Sequence, residues 1–160
     1  TKGEDKSHYQ GWMKEGWLTV TLGNRLDIDR IEEDLEQDAR DFELVEVPHD
    51  PWNAAQFAAH MLDKNIQMVE IQQTVRNLSE PTKELDALIR DGKFHYDGNP
   101  ILTWCLANVV CEYDTNDNVK PKRAKGQDHQ KIDGAISAIM GLSRAMVYKE
   151  KPQGNDGSLI

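Results

Sequence analysis

Asp50 and Asp133 are the residues whose type and setting best suit metal-dependent hydrolysis. Asp50 lies in Val47-Pro48-His49-Asp50-Pro51-Trp52-Asn53, directly after the apolar run Leu44-Val45-Glu46-Val47. Asp133 lies in Lys131-Ile132-Asp133-Gly134 and opens the most regular apolar helical pattern of the chain, Ile132 to Val147. A strand tip and a helix start can meet. Two carboxylates converging there suit Mg²⁺ or Mn²⁺, hard cations that take oxygen ligands and keep positions open for water and phosphate. In sheets that alternate with helices, ligand sites lie beyond the carboxyl ends of the strands, where Asp50 falls. Each aspartate alone also suits a plainer role, Asp50 as a turn cap and Asp133 as a first-turn acid favoured by the helix dipole.

Around this pair, Val119-Lys120-Pro121-Lys122-Arg123-Ala124-Lys125-Gly126, with Lys131 close behind, is the only basic concentration in an acidic chain. It is either a set of phosphate contacts or a solvated loop. His95 sits in a Gly/Asn/Pro turn and is the histidine best placed for function, with an ordinary hydrogen-bonded role as its alternative. Asn53, in the Asp50 segment, is a supporting candidate. Trp12, Trp17, Trp52 and Trp104 read as core anchors rather than base-stacking platforms. No Gly-x-x-x-x-Gly-Lys-Ser/Thr loop and no Gly-x-Ser-x-Gly elbow is present, which excludes those routes to ATP hydrolysis and acyl transfer.

The elements that must position these residues follow from pattern. At 160 residues and 38% hydrophobic content, one domain with one core is expected. The formal charge of -9 argues against coating nucleic acid over the whole surface. The acidic run Asp27 to Glu43 reads as a solvated helix face, capped by Asn24 or Asp27. Trp17 to Thr21 reads as a short strand, Leu44 to Val47 as a buried strand, Ala54 to Asp63 as a helix, and Ile66 to Ile71 as another strand. The order is β-α-β-α-β. Ser79 is expected to cap the next helix, with Pro81 in its first turn and Asp91-Gly92-Lys93 at its end. A helix over Ile101 to Asn108 precedes a hairpin, Val109 to Tyr113 returning over Val119 to Lys122. Cys105 and Cys111 lie in apolar stretches and read as buried free thiols of a protein working in a reducing, intracellular setting. No stretch is apolar for the length of a membrane span. The domain is expected to span residues 1–149, with a flexible tail over 150–160.

Taken in order, Glu15-Gly16-Trp17-Leu18-Thr19-Val20-Thr21, Asp50-Pro51-Trp52-Asn53-Ala54-Ala55-Gln56, Gly98-Asn99-Pro100-Ile101-Leu102-Thr103-Trp104, Asn108-Val109-Val110 and Lys131-Ile132-Asp133-Gly134-Ala135 closely resemble the C-terminal nuclease domain of tailed-phage terminase large subunits, in the HK97-like branch. The resemblance runs from about Tyr9 to about Met146. It implies an α/β, RNase H-like mixed sheet flanked by helices, and cleavage of concatemeric double-stranded DNA during viral genome packaging. It matches Asp50 to a metal-binding acid on the central strand and Asp133 to one on the last helix. It implies a terminase ATPase domain, a small terminase subunit and a portal as partners, and the host cytoplasm as the place of action. The family's first catalytic aspartate lies on a strand before the Gly16-Trp17 block, and nothing there reads as that strand. Asp5 follows Thr-Lys-Gly-Glu, with no apolar run. The sheet is therefore expected to lack its first strand and the chain to be a poor nuclease. A catalytically incomplete docking module for portal or DNA is the alternative.

Overall fold

Asp27 accepts the Arg30 N–H at 3.1 Å and so caps the acidic helix α2 (Ile28–Asp41), supplying an acceptor to a helix start that otherwise leaves its N–H groups open. The computed structural model describes residues 2–127 and 129–148. Helix α1 (Lys2–Lys14) precedes α2 and docks through aromatic rings on α5 (Pro100–Ala107): Trp12 lies 5.4 Å from Trp104, and Tyr9 6.2 Å from it. The tail expected over 150–160 lies outside the described residues.

Trp17 to Thr21 is not a strand. Gly16, at φ +82°, turns the chain after α1, and the N–H groups of Trp17 and Leu18 both donate to the Trp12 carbonyl. Those donors close the helix end instead of entering a ladder. The first strand among the described residues is β1 (Val47–His49), which pairs in parallel with β2 (Met68–Glu70) across helix α3 (Ala55–Asp63). Val47 N–H donates to the Gln67 carbonyl and Ile71 N–H to that of His49, each at 2.8 Å. Pro48 thus takes the position whose missing N–H would point away from β2, where a proline costs no ladder bond.

Helix α4 (Val75–Arg90) starts four residues before Ser79, with Thr74 as its cap, accepting from Asn77 N–H at 3.3 Å. Ser79 is therefore an interior residue rather than a cap, and Pro81 lies inside the helix rather than in its first turn. The expected end holds: Gly92, at φ +66°, follows the cap Asp91, and Lys93 N–H and Gly92 N–H return to the Leu88 and Ile89 carbonyls. Strands β3 (Val109–Tyr113) and β4 (Val119–Arg123) form the expected antiparallel hairpin, and helix α6 (Asp133–Ala145) closes the described fold. The architecture is mixed α/β, but in place of one mixed sheet the described residues form two separate two-stranded sheets.

Two apolar clusters lie on opposite sides of the β1–β2 ribbon, as strand alternation requires. Met68 joins Met61 and Ile66, with Leu35, Val47 and Phe57 packed around them. Val69 and Ile71 face the other way, toward Leu78, Leu85, Ile136, Ile139 and Met140 of α4 and α6. Of the tryptophans expected in the core, Trp12 and Trp104 are half-buried, whereas Trp17 is 39% and Trp52 83% exposed. Cys105 is buried, but Cys111 is exposed on β3. Among the described residues no helix is long and apolar enough to cross a membrane.

Candidate functional site

Asp50 directly follows β1, half-buried, and its Oδ1 accepts the Trp52 N–H at 2.8 Å. This Asx turn fixes the carboxylate by its own chain, leaving its other oxygen out of the turn. Asp133 is the exposed first residue of α6; that helix start carries no side-chain cap, so its carboxylate is not consumed in capping. Both aspartates line one groove of about 860 Å³, bounded by β1, the first turns of α6, Pro121 and Arg123 of β4, and Leu35 and Asp38 of α2. The strand tip and the helix start border the same groove.

Four contacts hold that geometry. Glu46, directly before β1, takes both Nε and Nη2 of Arg144, the latter at 3.3 Å, clamping the far end of α6 along the strand. The carboxylate holds the Arg144 guanidinium above its ordinary pKa. Asn108, capping α5, donates from Nδ2 to the Lys131 carbonyl at 3.0 Å, which ties down the segment leading into Asp133. Gly134 brings α6 against α5: a Cβ there would lie 3.4 Å from Cys105 Sγ. On the hairpin side, buried Ser79 accepts the Val119 N–H at 3.0 Å, fastening β4 to α4.

The basic run does not form one patch. Val119, Pro121 and Arg123 share one face of β4, with the first two buried and Arg123 on the groove wall, while Lys120 and Lys122 project from the other. Lys122 is ion-paired with Glu112, whose carboxyl it holds below the ordinary pKa. Lys125 and Lys131 are exposed outside the groove. His95 is exposed between α4 and α5 and does not line the groove either. Asn53, at φ 56°, borders a smaller concavity beside Asp50.

Sequence reasoning passed over His49, which lines the groove next to Asp50 and whose buried Nδ1 has no hydrogen-bond partner among the described residues. It also passed over the one buried acid of α2. Glu32 is 6% exposed, and its Oε1 lies 2.9 Å from His60 Nδ1 while its Oε2 lies 3.3 Å from Lys64 Nζ. The hydrogen bond to His60 holds its carboxyl below the ordinary value, against the effect of burial.

The carboxylates of Asp50 and Asp133 are hard oxygen donors of the kind magnesium and manganese take. Among the described residues no group of three or more His, Cys, Asp or Glu side chains assembles to hold a metal. Two such carboxylates would leave most of a cation's shell to water and substrate oxygens, and do not amount to a closed cage of protein ligands.

Residues 1–149 match the family described as "Terminase large subunit, endonuclease domain". The chain is 38% identical over 158 residues to Protein YmfN of Escherichia coli (strain K12), covering 97% of this chain and 35% of that protein. It is 27% identical over 143 residues to the "Terminase, large subunit" of Enterobacteria phage HK97, covering 88% of this chain and 28% of the relative. The crystal structure of the HK97 bacteriophage large terminase superposes with a TM-score of 0.76 at 26% identity, over 88% of this chain and 29% of the other. The chain thus spans about a third of the length of the relatives it matches.

Proposed function

The chain belongs to the endonuclease-domain family of terminase large subunits, and from that premise we propose that it is a divalent-metal-dependent DNA endonuclease acting in viral genome packaging. The reading rests on one observation: Asp50 and Asp133, far apart in sequence, line the same groove. Its substrate is concatemeric double-stranded DNA. Its partners are the ATPase domain, small subunit and portal of a packaging machine, and it works in the host cytoplasm. The RNase H-like character of the sheet belongs to the same proposal.

In this reading Asp50 and Asp133 hold Mg²⁺ or Mn²⁺. Such an ion, when bound, activates water and neutralises charge for in-line displacement at phosphorus. The chain's own residues do the rest. The Trp52 N–H orients the Asp50 carboxylate, the α6 start presents that of Asp133, and Arg123 on the groove wall meets the phosphate backbone. Lys120, Lys122, Lys125 and Lys131, outside the groove, serve the flanking duplex.

The test is nicking of supercoiled plasmid by this chain and by an N-terminally extended one, with Mn²⁺, with Mg²⁺ and with EDTA. Cleavage is expected with metal only, more strongly from the extended chain, and is expected to vanish in Asp50→Asn and Asp133→Asn while far-UV circular dichroism stays native. Cleavage in EDTA, or full activity in both variants, overturns the proposal.

A further inference from the structure

Trp52 is the most exposed of the described Phe, Tyr and Trp side chains, at 83%, although its backbone is held in a hydrogen-bonded turn. Its N–H is held by Asp50 Oδ1, Asn53 after it takes φ 56°, and Ala54 N–H donates back to the Pro51 carbonyl at 3.4 Å. A rigid turn that presents a large apolar ring to water gains nothing for folding, since burial is what makes an aromatic stabilising. Beside the ring lies a second concavity of about 370 Å³, bordered by Asn53, Gln72 and Gln73, and it shares Asp50 and Gln73 with the main groove. A ligand lying across the two aspartates continues onto Trp52.

The chemistry of this concavity selects its occupant. No cation borders it, so it does not suit a phosphate. It offers an indole face and three carboxamides. The hydrogen bonds at Gln72 use its backbone carbonyl, accepting from Thr74 N–H and Asn77 Nδ2, which leaves its amide for a ligand. A flat heterocycle with donors and acceptors on its edge fits that set, and carboxamides pair bidentately with such edges. Bases inside a duplex have no free face to offer, so the occupant is an unstacked one.

We propose that Trp52, with Asn53, Gln72 and Gln73, forms a subsite for an unstacked nucleobase of the strand cleaved at the Asp50–Asp133 groove. The subsite rests on the nuclease reading for its place in catalysis, but it binds without metal. It favours single-stranded, bubbled or mismatched DNA over intact duplex, and it holds the strand in register beside the carboxylates.

The test is binding, in EDTA so that no cleavage occurs, of a short single-stranded oligonucleotide carrying 2-aminopurine and of the same sequence as a duplex. Stacking on Trp52 quenches the probe in the single strand. Trp52→Ala is expected to weaken single-strand binding roughly 5- to 150-fold, the range of one base–aromatic stack, with duplex binding nearly unchanged and Trp52→Phe retaining most of the affinity. Unchanged single-strand affinity in Trp52→Ala, equal losses on both DNAs, or no advantage of Phe over Ala overturns the proposal. Altered sedimentation in Trp52→Ala with both DNA affinities intact overturns it in favour of a protein contact. Trp52-dependent quenching in a chain that nicks DNA with no metal, either as it stands or N-terminally extended, sinks the nuclease reading and leaves the subsite standing.

Discussion

Replacing Ser79 separates two accounts of the same residue, a helix cap read from Ser-Glu-Pro and the buried acceptor seen in the fold. Ser79 is 3% exposed and takes the N–H of Val119, which is 1% exposed, at 3.0 Å. Ser79→Ala leaves that buried N–H without a partner. An orphaned buried donor costs about 1–3 kcal/mol, more than the net worth of the bond itself. We therefore expect a loss of about 2 kcal/mol, which for a chain of this size lowers Tm by roughly 4–8 °C. The Val119 amide and its neighbours in β4 should exchange with deuterium faster than in the wild type, because the hairpin has lost its buried tie to α4. Ser79→Asp sharpens the contrast. Aspartate caps a helix as well as serine does, so a cap would tolerate it, whereas a carboxylate buried against Leu78 and Thr82 destabilises more than alanine. The assay is urea denaturation of the three proteins with amide exchange. Ser79→Ala within about 0.5 kcal/mol of wild type, the scatter of an ordinary surface substitution, or Ser79→Asp at full stability would refute the reasoning.

Three further outcomes follow from contacts already described. The Glu32 carboxyl is held low in the folded state, so its stabilising contribution is complete above its ordinary pKa of 4.5 and is lost as pH falls through the depressed value; Glu32→Gln should flatten the acid limb of stability against pH, measured by urea midpoints. Gly134→Ala should be neutral or stabilising by up to about 1 kcal/mol, because its Cβ meets Cys105 in ordinary contact, whereas Gly134→Leu must push α6 from α5 and should abolish nicking in plasmid assays. Arg123→Glu should reduce the salt dependence of DNA binding by roughly 0.9 in slope, and Lys122→Glu by less, since Arg123 lines the groove and Lys122 projects from the other face of β4; equal slopes in filter-binding titrations would mean the two faces of β4 are equivalent.

Local signals carried far in this chain where the backbone could satisfy them locally. The hairpin was legible because Asp114 accepts from both Asn116 and Asn118 N–H, so its turn is written in five consecutive residues. That Asp50 and Asp133 border one groove could be read ahead because a strand tip and a helix start are places, not merely compositions. Trp17 to Thr21 misled because β-propensity needs a neighbouring strand, and here the nearest acceptor was the end of α1. Thr74 was overlooked because Ser79 and Pro81 imitate a helix start, while the apolar stripe of α4 extends one turn earlier through Val75 and Leu78. The Glu46–Arg144 clamp joins residues with no signal in common. The basic run looked like a patch because charge counting ignores the alternation of a strand.

The ribbon of β1 and β2 is only three residues long in each strand, yet it is the partition between the two apolar clusters. The two sides are distinct packing units, α2 with α3 around one cluster and α4 with α6 around the other. The groove is built from both. Asp133 and its wall ride on the second unit, whereas the lip formed by Leu35 and Asp38 rides on the first. The lip on α2 is tied to α3 through Glu32, which meets His60 and Lys64, whereas α6 is tied to the start of β1 by the Glu46–Arg144 clamp. The lip of the groove and the seating of its Asp133 wall thus depend on different contacts.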